Sequence, residues 1–281
     1  MADEDEKVLT LIKQGGVIGG AATGSVLGFL AGGPIGAAIG GAVGATLQTV
    51  TTEIVNRELS RREEMRVGGT ASYAIDFIHE RLQRGDLPRE DKFFVKEKSG
   101  TSPAEEIFEG VLLKAKGDHE ERKARFYGVL FADVAFDPNC SRSEANYLLH
   151  VMDGLTFLQL ALVSLFSDTD RFRQLPSDSY EEKRIDFELL NTLAAIFELF
   201  QNGILKLSEP GGKGGEVIFD LGEIRPAHMA LSPTGTRLFD LAGLATIGDS
   251  TELKRLADLL AATVASPAGV VLSEGTALRN K

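Results

Sequence analysis

The sequence predicts a mainly α protein in three parts: an N-terminal apolar helical hairpin, an α-helical body and a C-terminal α+β module. Three observations predict it. Gln14 to Thr52 is a run of 39 residues without a charge, in a chain that is 25% charged. From residue 53 to about residue 202, apolar residues recur at helical spacing between capping residues. Beyond that the pattern breaks into short apolar runs around the glycine-rich turn Glu209-Pro210-Gly211-Gly212-Lys213-Gly214-Gly215. The expected divisions are 1–52 for the hairpin, 53–178 for the body, 179–266 for the module and 267–281 for a small, polar, flexible tail.

In the uncharged stretch a glycine stands at every fourth residue: Gly16, Gly20, Gly24, Gly28, Gly32, Gly36, Gly40 and Gly44. Residues four apart on a helix are stacked neighbours, so these glycines draw a groove along one face. Glycine costs about 1 kcal/mol relative to alanine inside a helix. Such a helix is poor in water unless something packs into the groove. In lipid, faces of small residues let helix backbones approach closely. Gly32-Gly33-Pro34 interrupts the run, because Pro34 has no amide to offer the Leu30 carbonyl and disfavours helix at Gly33. It reads as the turn of a hairpin with arms at 8–31 and 34–52; one long kinked helix is the alternative. At 1.5 Å per residue the arms measure roughly 36 Å and 28 Å, against about 30 Å of hydrocarbon in a bilayer.

Basic residues flank the stretch. Lys13 precedes it and can snorkel, and Arg57, Arg61, Arg62 and Arg66 follow it. With basic residues at both ends, both ends are expected on the cytoplasmic side. The arginines also interleave with Glu53, Glu58, Glu63 and Glu64, which reads as a solvated helix face compatible with lipid headgroups.

This repeated GxxxG segment resembles the glycine zipper of membrane-active bacterial proteins. The resemblance rests on Gly16 to Gly44, about a tenth of the chain. It implies close helix packing, a lipid membrane as partner and assembly into homo-oligomers.

The body is expected to be helical throughout. One helix over 53–66 ends at Gly68-Gly69, and Thr70 caps the next at 71–83, with Ala74, Phe77 and Ile78 inward. Residues 85–101 form a loop. Ser102-Pro103-Ala104-Glu105 is a capping box with proline at the first helical position and opens a helix to about Lys116. Asp118 caps a helix over 119–135, Asp137-Pro138-Asn139 turns, Ser143 starts 144–153, and Thr156 starts 157–167. A strongly apolar helix is expected over 180–202. The body alone, from residue 53, is expected to fold without the hairpin.

In the module, Ile204 to Leu207 reads as a strand, 217–219 as its return, Ser232-Pro233 as the start of a helix to Leu241, and Ser250 as the cap of a helix over 251–265. The order helix, hairpin, segment, capped helix resembles a winged-helix module. That resemblance implies DNA binding, but residues 181–281 carry 10 Lys and Arg against 14 Asp and Glu, a net of −4. Affinity for DNA comes largely from neutralising phosphates, so no nucleic-acid partner is expected.

Composition narrows the function further. The net charge is −11, and the single cysteine, Cys140, permits no internal disulfide and fits a reducing compartment. The start, with Asp3, Glu4, Asp5 and Glu6, is acidic, so no secretory signal is expected. His79, His119, His150 and His228 show no metal-ligand spacing. No phosphate-binding glycine loop is found; Gly211 to Gly215 reads as a flexible wing. Cys140 reads as a surface bystander and His150 as a core or boundary residue. Glu105, Glu106 and Glu109 read as an acidic helix start. Neither catalysis nor a cofactor is expected. The expected activity is membrane permeabilisation from the cytoplasmic face of the inner membrane, in the manner of a cell-death effector whose body or a regulatory protein partner controls insertion. The alternative is a soluble adaptor with the glycine hairpin packed in its own core or in an oligomer.

Overall fold

The computed structural model describes residues 41–167, 175–181, 183–207, 220–247, 251–262 and 270–271. The fold is mainly α, with nine α-helices and two short antiparallel strand pairs among the described residues. Its described residues divide into two compact units, one lying within 1–155 together with 241–243, the other within 156–240 and 244–281. The boundary between them falls between Leu155 and Thr156.

Unit 1 contains α1 (Gly41–Val55), α2 (Arg61–Gln83), a 3-10 turn at Lys92–Phe94, α3 (Pro103–Gly117), a 3-10 turn at Glu121–Lys123, α4 (Ala124–Val134) and α5 (Arg142–Gly154). The expected division at residue 52 cuts through α1. This helix buries Val43, Leu47, Val50 and Ile54, which recur at spacings of three and four and so share one face. It packs chiefly along α3.

The expected break at Gly68-Gly69 is absent. Ser60 caps α2 through a capping box, its amide donating to Glu63 Oε2 at 2.7 Å, and the helix runs on through both glycines to Gln83. The reason lies across the packing. α2 and α4 form the most extensive helix pair, and Gly128 of α4 sits directly on the α2 backbone. A Cβ at Gly128 would stand 2.6 Å from the Thr70 carbonyl oxygen and 2.8 Å from the Ala74 nitrogen. The close crossing is thus made by Gly128 against the α2 backbone at Thr70 to Ala74. Gly128→Ala is expected to cost about 1–3 kcal/mol, since backbone cannot swing aside. Gly69→Ala, with nothing within 4 Å of its Cβ, is expected to stabilise by up to about 1 kcal/mol through helix propensity. Thermal melts of the two variants against wild type check both signs.

The Ser102 box forms as expected, with the Ser102 amide donating to Glu105 Oε2 at 2.7 Å. Helix α5 starts two residues early, because its cap is Ser141, which accepts from the Glu144 amide at 3.1 Å. Cys140 is fully buried, not on the surface, and His150 is exposed, not in the core.

Unit 2 is built around α6 (Phe157–Ser167), which is apolar on all sides and buried along its length. Around it pack α7 (Phe187–Gln201), β3 (Met229–Leu231), the turn Leu244–Ile247 and α9 (Thr251–Ala261). Helix α7 begins at Asp186, whose carboxylate accepts from the Leu189 amide at 2.8 Å, and not near residue 180. The residues before it are drawn off: Arg184–Ile185 (β1) pairs with Val270–Val271 (β4), and the buried Tyr180 hydroxyl donates to the Leu260 carbonyl at 2.5 Å. The expected tail thus includes a paired strand.

Helix α7 ends in a Schellman motif. The Ile204 amide donates to the Leu199 carbonyl and the Gly203 amide to that of Phe200, and Gly203 takes φ 69°, which only glycine adopts freely. The chain then turns into β2 (Leu205–Leu207), which pairs with β3. The return strand expected at 217–219 lies outside the described residues. Helix α8 (Pro233–Leu241) follows, with Ser232 Oγ accepting from the Gly235 amide at 3.1 Å, as expected.

Candidate functional site

Of the glycine row, Gly16, Gly20, Gly24, Gly28, Gly32, Gly36 and Gly40 lie outside the described residues, as do Lys13 and the Gly32-Gly33-Pro34 turn. Gly44 lies within α1 and is half-buried. Its stacked neighbours Gln48 and Thr52 are exposed. The face of α1 that packs on the body is the Val43, Leu47, Val50, Ile54 row. Gly44 therefore lies at the edge of the face that holds α1 to unit 1.

The flanking arginines cluster at the other end of α1. Arg57 is exposed and pairs with Glu109 of α3 at 2.6 Å. Arg61 and Arg62 are exposed in the first turn of α2. Arg66 is half-buried and directed inward, donating to the Asp118 carbonyl. At 1.5 Å per residue, α1 holds this cluster roughly 20 Å from Gly41. Glu105 and Glu106 also have local work: Glu105 completes its capping box, and Glu106 pairs with Arg142.

The strongest polar cluster of unit 1 went unread in the sequence beyond the capping role of Asp118. Lys123 is 2% exposed, and its Nζ lies 2.6 Å from Asp118 Oδ2. Tyr127 donates to the same carboxylate oxygen at 3.0 Å. Lys114 binds Asp153 Oδ2 at 2.7 Å, and Lys123 also donates to the Asp153 carbonyl at 3.3 Å. Burial works to raise the pKa of Asp118, but Lys123, the Glu120 amide and Tyr127 outweigh it and hold the carboxyl below its ordinary value. Burial, then the neighbouring Asp118 and Asp153 carboxylates, push the Tyr127 phenol upward. The ammonium and the hydroxyl are spent on neighbours inside the unit, so the cluster ties α3, α4 and the end of α5 together.

A second polar tie closes the other end. Arg89 is buried and spans the loop, with Nε on Asp91 at 2.9 Å, Nη1 on the Cys140 carbonyl at 2.8 Å and its guanidinium over the Phe93 ring. Among the described residues, no group of His, Cys, Asp and Glu is placed to hold a metal ion. Nor is any single helix there long and apolar enough to cross a membrane. Set against protein families, curated proteins and solved structures, the chain matches none.

Proposed function

We propose that this is a membrane-acting protein whose glycine-repeat stretch enters lipid and assembles there, with the helical units governing when it does so. The observation that carries this reading is the 39-residue uncharged stretch with glycine at every fourth position. The placement of Gly44 supports it, since this glycine lies beside the Val43, Leu47, Val50, Ile54 row and not in it. The activity we infer is permeabilisation of the inner membrane from its cytoplasmic face by a homo-oligomer, in the manner of a cell-death effector. The C-terminal unit, read as winged-helix-like, serves protein contact rather than nucleic acid.

The docked α1 constrains how insertion proceeds. While α1 stays packed, no more than 14–40 of the uncharged stretch can enter lipid. Residues 14–31 extend roughly 27 Å as helix, but 34–40 only about 10 Å, too short to return across about 30 Å of hydrocarbon. A spanning hairpin therefore requires α1 to leave unit 1. We read the packed arrangement as the resting state and release of α1 as the step that a trigger or regulatory partner biases.

The burial of Val43, Leu47, Val50 and Ile54 favours a second reading, a soluble adaptor in which the stretch is part of the core. Fractionation of expressed protein followed by a carbonate wash separates the two. A sharper test is Gly28→Leu. It raises apolarity, so membrane recovery should hold or rise. It also blocks close backbone approach, so cross-linked oligomer and dye release from vesicles should fall at least several-fold. Leu27→Ile is the control off the groove. Undiminished leakage in Gly28→Leu would rule out the packed zipper, and no membrane recovery for any variant would favour the adaptor.

A further inference from the structure

The helices of unit 1 are not all held alike. Helices α2 to α5 are cross-tied by ion pairs: Glu63 of α2 with Lys116 of α3, Arg81 of α2 with Asp133 of α4, and Glu106 and Lys114 of α3 with Arg142 and Asp153 of α5. Helix α1 has no such tie among the described residues. Its side-chain hydrogen bonds run from Thr46 to the Ala42 carbonyl and from Thr52 to the Gln48 carbonyl, both within the helix. The nearest ion pair, Arg57 with Glu109, lies just past its end. What seats α1 is therefore apolar contact, through Val43, Leu47, Val50 and Ile54.

Two threonines share that buried face, and they differ. Thr46 carries its own acceptor, one helical turn back at 3.0 Å. Thr51 is 0% exposed, and its hydroxyl has no partner. A threonine inside a helix can donate to the carbonyl four residues before it, as Thr46, Thr52, Thr192 and Thr236 do. For Thr51 that acceptor is the Leu47 carbonyl, and in the docked helix the bond is not made. A buried hydroxyl left unsatisfied carries its full desolvation cost. Once α1 leaves the unit, the side chain is free to turn and make that bond, in water or in lipid. Docking therefore gives up a hydrogen bond that the released helix recovers. Thr70 is also buried without a partner, but it stands on α2, which the ion pairs hold in place.

We propose that Thr51 sets how readily α1 is released: its unpartnered hydroxyl weakens a docking made of apolar contact and so keeps the stretch able to leave the body. The proposal rests on the membrane reading and deepens it, by naming a residue that regulates the release step. Thr51→Val keeps the shape of the side chain and replaces the hydroxyl with a methyl group, so it should dock more tightly. Val50→Thr makes the converse exchange on the same buried face. In each variant, affinity for lipid and release from the body pull leakage in opposite directions. Thr51→Val makes the stretch more apolar, which by partition alone would raise leakage, whereas tighter docking lowers it. Val50→Thr reverses both signs.

Amide hydrogen exchange of the full-length chain, followed by mass spectrometry on peptides from 41–55, measures release in buffer. Dye release from vesicles of phosphatidylcholine with a minor share of phosphatidylglycerol measures its consequence. For Thr51→Val, exchange in α1 is expected to slow about tenfold, and dye release to slow with it. Val50→Thr should move both the other way. Thr52→Val, on the exposed side of α1, should change neither. If exchange of α1 in Thr51→Val is as fast as in wild type or faster, the hydroxyl does not weaken docking, and the proposal fails while the membrane reading stands. If exchange slows but dye release holds or rises, the docking of α1 does not gate leakage, and the proposal fails with the membrane reading again intact. If wild type releases no dye, the membrane reading fails and takes the regulatory role of Thr51 with it, whatever exchange shows.

Discussion

Removing residues 1–52 is expected to unfold unit 1, whereas removing residues 1–40 leaves it folded. The shorter truncation keeps all of α1. The longer one takes away Val43, Leu47 and Val50 together with the buried Thr46 and Thr51, and leaves Ile54 on a stub. The face of α3 that α1 covered would then meet water. Losing one buried large aliphatic side chain costs about 2–5 kcal/mol where the site cannot collapse, so losing three removes roughly 6–15 kcal/mol. That is comparable with the whole stability of a typical domain, about 5–15 kcal/mol. Circular dichroism melts of 41–281 and 53–281 decide it. A cooperative melt for both would show that α1 is an ornament on the body, and the resting state inferred from its docking would be lost.

Lys123→Met is expected to destabilise unit 1 by about 3–5 kcal/mol at neutral pH. The methionine fills the volume, but Asp118 keeps its charge in a buried place without its main counter-ion. The pH dependence follows from the direction of the Asp118 shift. Its carboxyl is held below the ordinary value in the folded wild type, so it contributes stability above the unfolded carboxyl pKa, and this is lost as pH falls through the folded value. In Lys123→Met that contribution is absent. The gap between variant and wild type should therefore be widest near pH 7 and narrow as pH falls below about 4, the unfolded carboxyl range, toward the lower value Asp118 has in the folded wild type. Asp118→Asn added to Lys123→Met should recover part of the loss, since no charge is left uncompensated. Denaturant titrations at the two pH values and on the double variant measure all three effects.

What was legible in the sequence was what local chemistry decides. The box at Ser102 to Glu105 needs only residues three apart, and it formed as read. So did the helices after Thr156 and Ser232. The misreadings are places where a distant partner decides. Gly68-Gly69 carries a stop signal, yet Gly128 of α4 seats on Thr70, Tyr73 and Ala74 just beyond it, and this tertiary packing overrode the signal. Glu181 to Arg184 are good helix formers just ahead of α7, but the pairing of 184–185 with 270–271 and the Tyr180 hydroxyl bond hold the segment out of it. No local feature marks 229–231 as the partner of β2. At the candidate site the glycine row was legible as a pattern. The docking of the Val43 to Ile54 row was not, because an apolar face suited to lipid is equally suited to a protein groove. The Lys123 cluster was hidden for a similar reason: its members come from sequence positions up to 39 apart and meet only when α3, α4 and α5 assemble.

The burial of Cys140 beneath Arg89 has a practical meaning. It is the chain's one thiol, and it sits at the end of unit 1 that Arg89 ties together. A maleimide cannot reach it in the closed unit, so the rate of alkylation under native conditions counts how often that end opens. The wild-type chain thus carries its own clock for the motion. Comparing the rate in buffer with the rate on vesicles would time any loosening of the body as it meets a bilayer, without a single substitution.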